Sequence, residues 1–173
     1  PRPGVRFKDE MRALARPPVL LSMSLSVLAS SALFALYTYI APLLEFETGL
    51  DPATIPYLLF VLGVGMTIGN LAGARLADWK LMPSIMGLFA AMALILFGVH
   101  LFAESPGPMI VLMGLWGVVV FGLTSPIQMR IVATAQGARN LASTINQSAF
   151  NLGNALGAWI GALLISAGFA YDT

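Results

Sequence analysis

Long apolar stretches dominate the chain, separated by short polar turns that are rich in proline. Five of them reach the roughly 20 predominantly apolar residues that a helix needs to cross a bilayer, at about 19–44, 53–76, 84–103, 108–132 and 141–170. None holds an ionisable residue near its middle. Proline marks the limits. Pro17 and Pro18 precede the first stretch, where a missing N–H costs nothing. Pro42 closes it, Pro52 and Pro56 open the second, Pro83 the third, and Pro106 with Pro108 the fourth. Asn140 is expected to cap the fifth, its side-chain oxygen accepting from an orphan N–H. The pattern predicts an all-α, polytopic transmembrane bundle of five spans within 17–173, behind a polar lead-in at 1–16.

Composition agrees with burial in lipid. Of 173 residues, 58% are hydrophobic and only 10% charged, where a globular domain carries about 25% charged residues. A water-soluble fold of this size could not cover its surface with so little charge. Cysteine is absent, so no disulfide, thiolate metal site or cysteine nucleophile is available. The single histidine, His100, lies near the end of the third stretch, and the carboxylates are scattered, so no metal site and no cofactor is expected. Nothing calls for a nucleic-acid partner. The chain opens at Pro1 without a methionine or a signal-peptide pattern and reads as an internal piece of a longer polypeptide.

Charge then sets an expected orientation. Arg2, Arg6, Lys8, Arg12 and Arg16 precede the first span. Arg75 and Lys80 flank the second turn, and Arg130 and Arg139 the fourth. The alternate turns hold Glu45, Glu47, Asp51 and Glu104, with Asp172 at the end, and no basic residue. Basic residues are retained on the cytoplasmic side. The N-terminal segment is therefore expected in the cytoplasm of a cell with this protein in its inner (plasma) membrane.

The spans differ in character. The second carries Gly65, Gly69 and Gly73, and the fifth Gly153, Gly157 and Gly161, both at four-residue spacing. Such stripes let helices approach closely in lipid. Ser22, Ser26 and Ser30 make a softer stripe on the first. The third is apolar on every face and is expected against lipid. The fourth holds Thr124, Ser125, Pro126 and Gln128 in its inner half, where a proline frees a carbonyl and bends the helix, usually beside a cavity or a neighbour.

Three stretches carry a resemblance to the major facilitator superfamily. Gly69-Asn70-Leu71-Ala72-Gly73-Ala74-Arg75-Leu76-Ala77-Asp78-Trp79-Lys80 resembles the degenerate C-terminal copy of the family's loop signature. The run from Ala142 through Asn146, Gln147, Asn151 and Asn154 to Gly157 is similar to the eleventh helix of the drug-efflux and arabinose-efflux-like branch. The basic lead-in resembles the end of the loop joining the two halves. The resemblance implies that the five spans are helices seven to eleven of twelve, with the N-terminal half and the last helix elsewhere. It implies proton-coupled efflux of drug-like or sugar-like small molecules by alternating access. The seventh and tenth helices would line the cavity, the eighth and eleventh would pack at the interface between halves, and the ninth would be peripheral. The fragment alone would not transport.

Candidate residues each have a bland alternative. Asn151 and Asn154 lie nearest the membrane middle, where amides bind substrate or tie helices together at about 0.6 kcal/mol per bond. Tyr37 and Trp116 are cavity candidates, Tyr39 a member of an interfacial belt. Phe34 and Phe150 stack on an apolar substrate or simply pack. Gln128 faces the cavity or a neighbouring helix. Arg75, Asp78, Arg130 and Arg139 are candidates for a cytoplasmic gate against the other half. Alternatively they are solvated or snorkelling residues, and Asp78 can face a helix N-terminus there. Absent motifs such as G-x-S-x-G and H-E-x-x-H argue against an intramembrane enzyme. A non-transporting scaffold and a facilitated-diffusion carrier are the alternatives to efflux.

Overall fold

The computed structural model describes residues 7–169 and 171, with side chains described from Glu10. Arg2, Arg6 and Asp172, and the side chain of Lys8, lie outside the described residues. A short helix α1 (Phe7–Leu14) leads into α2 (Pro17–Tyr37). A single turn α3 (Ile40–Pro42) runs into a π-helical turn at Leu43–Glu47. Then come α4 (Ile55–Phe102), α5 (Pro106–Thr134) and α6 (Arg139–Ser166). No strand occurs among the described residues, and α2, α4, α5 and α6 are long and apolar enough to cross a membrane.

α4 has 48 residues, about 72 Å if straight, more than twice the roughly 30 Å of bilayer hydrocarbon. It is not straight. Lys80 departs from helical geometry at φ −150° and ψ 87°. Three residues on, Pro83 has no N–H to give, and its ring clashes with the carbonyl of Trp79, four residues back. Packing on α5 shows the consequence. A Cβ at Gly65, Gly69 or Gly73 would lie 2.4, 2.1 or 2.3 Å from the carbonyl oxygens of Gly114, Val118 and Gly122, so the first arm runs parallel to α5. Beyond the break, Leu88 meets Gly122 and Gly98 meets Leu112, so the second arm runs antiparallel to α5. The arms therefore reverse on each other, and Ser84 Oγ donates to the Leu76 carbonyl across the turn at 3.0 Å. The loop expected between 76 and 84 shrinks to this one break, and the described residues form five rods of membrane-crossing length.

α2 and α6 form the second close pair, also parallel. A Cβ at Gly153 would lie 1.9 Å from Ser30 Oγ, and one at Gly157 2.2 Å from the Ser31 carbonyl oxygen. Gly161 lies under the ring of Tyr39, whose hydroxyl donates to the Ala158 carbonyl at 2.8 Å. Tyr39 thus joins helices, where an interfacial belt was expected. Tyr39→Phe is expected to lower unfolding free energy in detergent by about 0.6 kcal/mol, read as a small drop in Tm; an unchanged Tm would remove this bond from the account.

α5 links the two pairs and is the most buried helix. The apolar faces left outside include Leu21, Leu28, Phe60, Leu71, Met86, Leu94 and Trp159, suited to lipid. These directions place Arg16, Lys80, Arg130 and Arg139 at one end of the bundle, and Glu45, Glu47, Asp51 and Glu104 at the other.

Several limits shift for local reasons. α2 stops at Tyr37 rather than near 44, because Pro42 cannot donate to the Thr38 carbonyl and crowds it. The chain still turns on to Glu47, and Leu43 and Leu44 are fully buried there. Asn140 does not cap α6. The helix starts at Arg139 with Ala138 at the cap and no side-chain cap bond, and the Asn140 carbonyl accepts from Thr144 Oγ1 at 3.1 Å. α6 ends at Ser166, short of 170, because Gly168 adopts φ +88°, and the Gly168 and Phe169 N–H groups return to the Ile165 and Leu164 carbonyls.

Candidate functional site: a cleft between three helices

Near their midpoints α2, α5 and α6 splay apart around a cavity of ≈ 270 Å³. Three aromatic rings line it, one from each helix: Phe34, Phe121 and Phe150. Thr124, Gln147 and Asn154 add polar atoms. It continues past Thr124, Gln147 and Phe150 into a more open cleft lined by Ser125, Gln128 and Met129, toward the basic end. No Asp, Glu, Lys, Arg or His lines either part among the described residues. Gln147 and Asn154 make no side-chain hydrogen bond among the described residues, so their amides remain available to a guest.

A hydrogen-bonded chain closes the wall on the basic side. Ser26 Oγ donates to Asn146 Oδ1 at 2.6 Å, and Asn146 Nδ2 donates to Gln128 Oε1 at 2.7 Å. Gln128 Nε2 in turn donates to Ser143 Oγ. One side chain from α2, one from α5 and two from α6 are thereby fixed. Asn146 and Ser26 are fully buried. Gln128 lies half-buried and lines the cleft with an amide already engaged at both ends. Two residues before it, Pro126 leaves the Gly122 carbonyl without its helical donor. That oxygen lies where a side chain at Gly73 would have to go, so the close approach of α4 depends on glycine there.

The candidates therefore separate. Phe34, Gln128, Phe150 and Asn154 line the cleft. Asn151 is exposed one turn from Gln147 and does not line the cavity. Tyr37 is exposed, its ring 5.8 Å from that of Phe34. Trp116 does not line the cleft: it is fully buried in the apolar core, and its Nε1 has no partner among the described residues. Arg75, Asp78 and Arg139 are exposed, whereas Arg130 turns toward Met82 at the α4 reversal. Thr124 and Ser125 belong to the polar stretch noted around Pro126 but are not among the named cavity candidates, and the wall residues Phe121 and Met129 look like ordinary helix residues. Among the amides of the fifth span, Asn146 is the one that ties helices together, which one span read alone cannot show.

Residues 2–158 match the family model described as Major Facilitator Superfamily. The chain is 39% identical over 171 residues to the inner membrane transport protein YdhP of Escherichia coli (strain K12), across 99% of this chain and 43% of that protein. It is 31% identical to the uncharacterized MFS-type transporter YfhI of Bacillus subtilis (strain 168), across 95% of this chain and 41% of that protein. It is also 31% identical to the chloramphenicol resistance protein of Streptomyces lividans, across 92% and 41%. The chain thus spans about two-fifths of the length of these curated relatives. No solved structure matches. A bundle of lipid-facing helices locked by glycine stripes, holding a cleft at mid-depth, agrees with that match across nearly the whole chain: the chain belongs to the Major Facilitator Superfamily.

Proposed function

We propose that this chain is most of the C-terminal half-bundle of a twelve-helix secondary transporter, its five rods being helices seven to eleven. The basic lead-in ending at residue 16 is the end of the loop between halves. The whole protein lies in the inner membrane with the basic end of the bundle in the cytoplasm. It moves small molecules by alternating access, this half rocking against the other around the cleft, and no chemical step of catalysis is involved.

One observation carries the reading: a mid-depth cleft with an aromatic ring from each of three helices and unengaged amides of Gln147 and Asn154. Rings and neutral hydrogen-bonding groups suit a small amphipathic or sugar-like guest. A relative named for chloramphenicol resistance supports export of drug-like molecules. Since no titratable side chain among the described residues lines the cleft, the proton-binding acid belongs to the other half. At the basic end, Arg75, Asp78 and Arg139 are exposed; on this reading they face the other half and form this side of the gate, with Asp78 at a helix N-terminus there.

The test is uptake by the full-length transporter in proteoliposomes. Accumulation of a neutral aromatic antibiotic is expected to need a pH gradient and to stop when the gradient is dissipated. Phe150→Ala is expected to slow it by about tenfold, near the upper value of an aromatic contact. Downhill movement indifferent to the pH gradient would favour a facilitated-diffusion carrier. No movement of any small molecule would leave a scaffold.

A further inference from the structure

We propose that Arg130, with Lys80 and Trp79 at the reversal of α4, holds the phosphate of an anionic membrane lipid. A guanidinium has five N–H donors and no acceptor. That of Arg130 offers Nη1 to the thioether of Met82, a weak acceptor, and its Nε is buried with no hydrogen-bond partner. No carboxylate pairs with it among the described residues. A snorkelling arginine would carry its head into water. Here the Nε is enclosed without a partner while the contact of Nη1 with Met82 lies at the surface, so the guanidinium keeps open donors and has no counter-ion among the described residues.

The surroundings name the missing partner. Arg130 lies on the α4 side of α5, away from the cleft-lining face that carries Ser125, Gln128 and Met129. The α4 reversal it meets marks one boundary of the membrane-crossing rods, the depth of lipid headgroups. Trp79 is 73% exposed there, with Lys80 Nζ 5.2 Å from its ring centroid. Tryptophan settles at headgroup depth, and basic pockets between helices at the membrane surface take anionic headgroups. Arginine grips phosphate as a two-pronged fork, and lysine adds a point charge. Above them Met82 and Met86, one turn apart, leave an exposed apolar strip along the second arm for an acyl chain.

Lipid retention by the full-length transporter tests this. Protein titrated with phosphatidylglycerol or phosphatidylcholine is examined by native mass spectrometry for bound lipid, with Tm in each lipid as a second readout. Wild type is expected to retain phosphatidylglycerol in preference to phosphatidylcholine. Arg130→Gln is expected to weaken that retention by about tenfold, Arg130→Lys by less, and Arg139→Gln not at all. Should Arg130→Gln fold poorly, the surface variant Trp79→Ala with Lys80→Gln is expected to weaken retention about threefold. Equal retention of the two lipids, or unchanged preference in both the Arg130→Gln and the surface variant, would overturn the proposal. So would a Tm loss equal in both lipids with retention intact, which would assign Arg130 to a carboxylate in the rest of the protein. Inorganic phosphate raising Tm as much as phosphatidylglycerol would assign the site to a soluble anion. None of these outcomes depends on transport.

Discussion

Gly69→Val is expected to leave no stable bundle. A Cβ there would lie 2.1 Å from the Val118 carbonyl oxygen and 2.8 Å from the Val118 Cα. Both obstructing atoms are backbone in the middle of a buried helix, so no rotamer change can make room. Either the first arm of α4 lifts off α5, or the two helices slide and lose the neighbouring contacts at Gly65 and Gly73 as well. Overpacking a well-packed core typically costs about 1–3 kcal/mol and sometimes more. Here three successive contacts share one seam, so the loss belongs at or above the top of that range. Against a total of roughly 5–15 kcal/mol, the full-length protein should aggregate in detergent or unfold far below wild type. Gly63→Ala is the matched control, since nothing lies within 4 Å of its added Cβ. It should fold normally. A Gly69→Val protein with wild-type Tm and a monodisperse elution profile would mean that α4 and α5 are not in backbone contact.

Asn146→Leu is expected to be the most damaging polar substitution. Leucine has nearly the size of asparagine but neither donates to Gln128 Oε1 nor accepts from Ser26 Oγ. Two hydrogen bonds between helices disappear, each worth about 0.6 kcal/mol on average in membrane proteins. Ser26, fully buried, is then left with only its weak 3.4 Å bond to the Ser22 carbonyl, and an unsatisfied buried group costs about 1–3 kcal/mol. The expected loss is about 2–4 kcal/mol. A cycle with Gln128→Leu separates the pair from general damage: the double variant should lose less than the sum of the singles by at least 0.5 kcal/mol or so. Strict additivity would show that Asn146 and Gln128 do not meet. On the transporter reading, freeing Gln128 also changes the cleft wall, so KM should move in the full-length protein along with Tm.

The hydrophobic pattern carried the all-helical, membrane-crossing architecture, because a run of some twenty apolar residues without charge has one stable home. Its errors lay at chain ends and turns. The apolar pattern carries the first span to 44 because every residue after Tyr37 is still apolar or neutral until Glu45. The effect of Pro42 falls four residues upstream, on a carbonyl that an apolar pattern does not register. Asn140 looked like a cap by residue type, yet capping depends on the φ/ψ of one residue, which the neighbouring turn at Gly137 and Ala138 decided.

The candidate site was legible only in part. Phe34, Gln128, Phe150 and Asn154 could be selected because aromatic and amide residues are conspicuous within apolar helices. Trp116 was conspicuous for the same reason and sits in the core instead. Residue type says what a side chain could do and not which way its helix is turned. Asn146 and Asn154 lie on one helix, eight residues apart, yet one is sealed between three helices and the other borders the cleft.

The order of residues alone thus settles local matters: where the chain is apolar enough to enter lipid, where proline and glycine interrupt it, and on which alternate turns the basic residues fall. These properties belong to single segments and their solvent. Glycine spacing also announced that two helices have flat faces. Packing of the helices is what lays the first arm of α4 on α5 and α6 on α2, bridges Asn146 to Ser26 and Gln128, and turns Arg130 to the α4 reversal. Those outcomes depend on helix rotation and partner choice, which are fixed by packing between segments distant in the chain, and no residue's own chemistry specifies them.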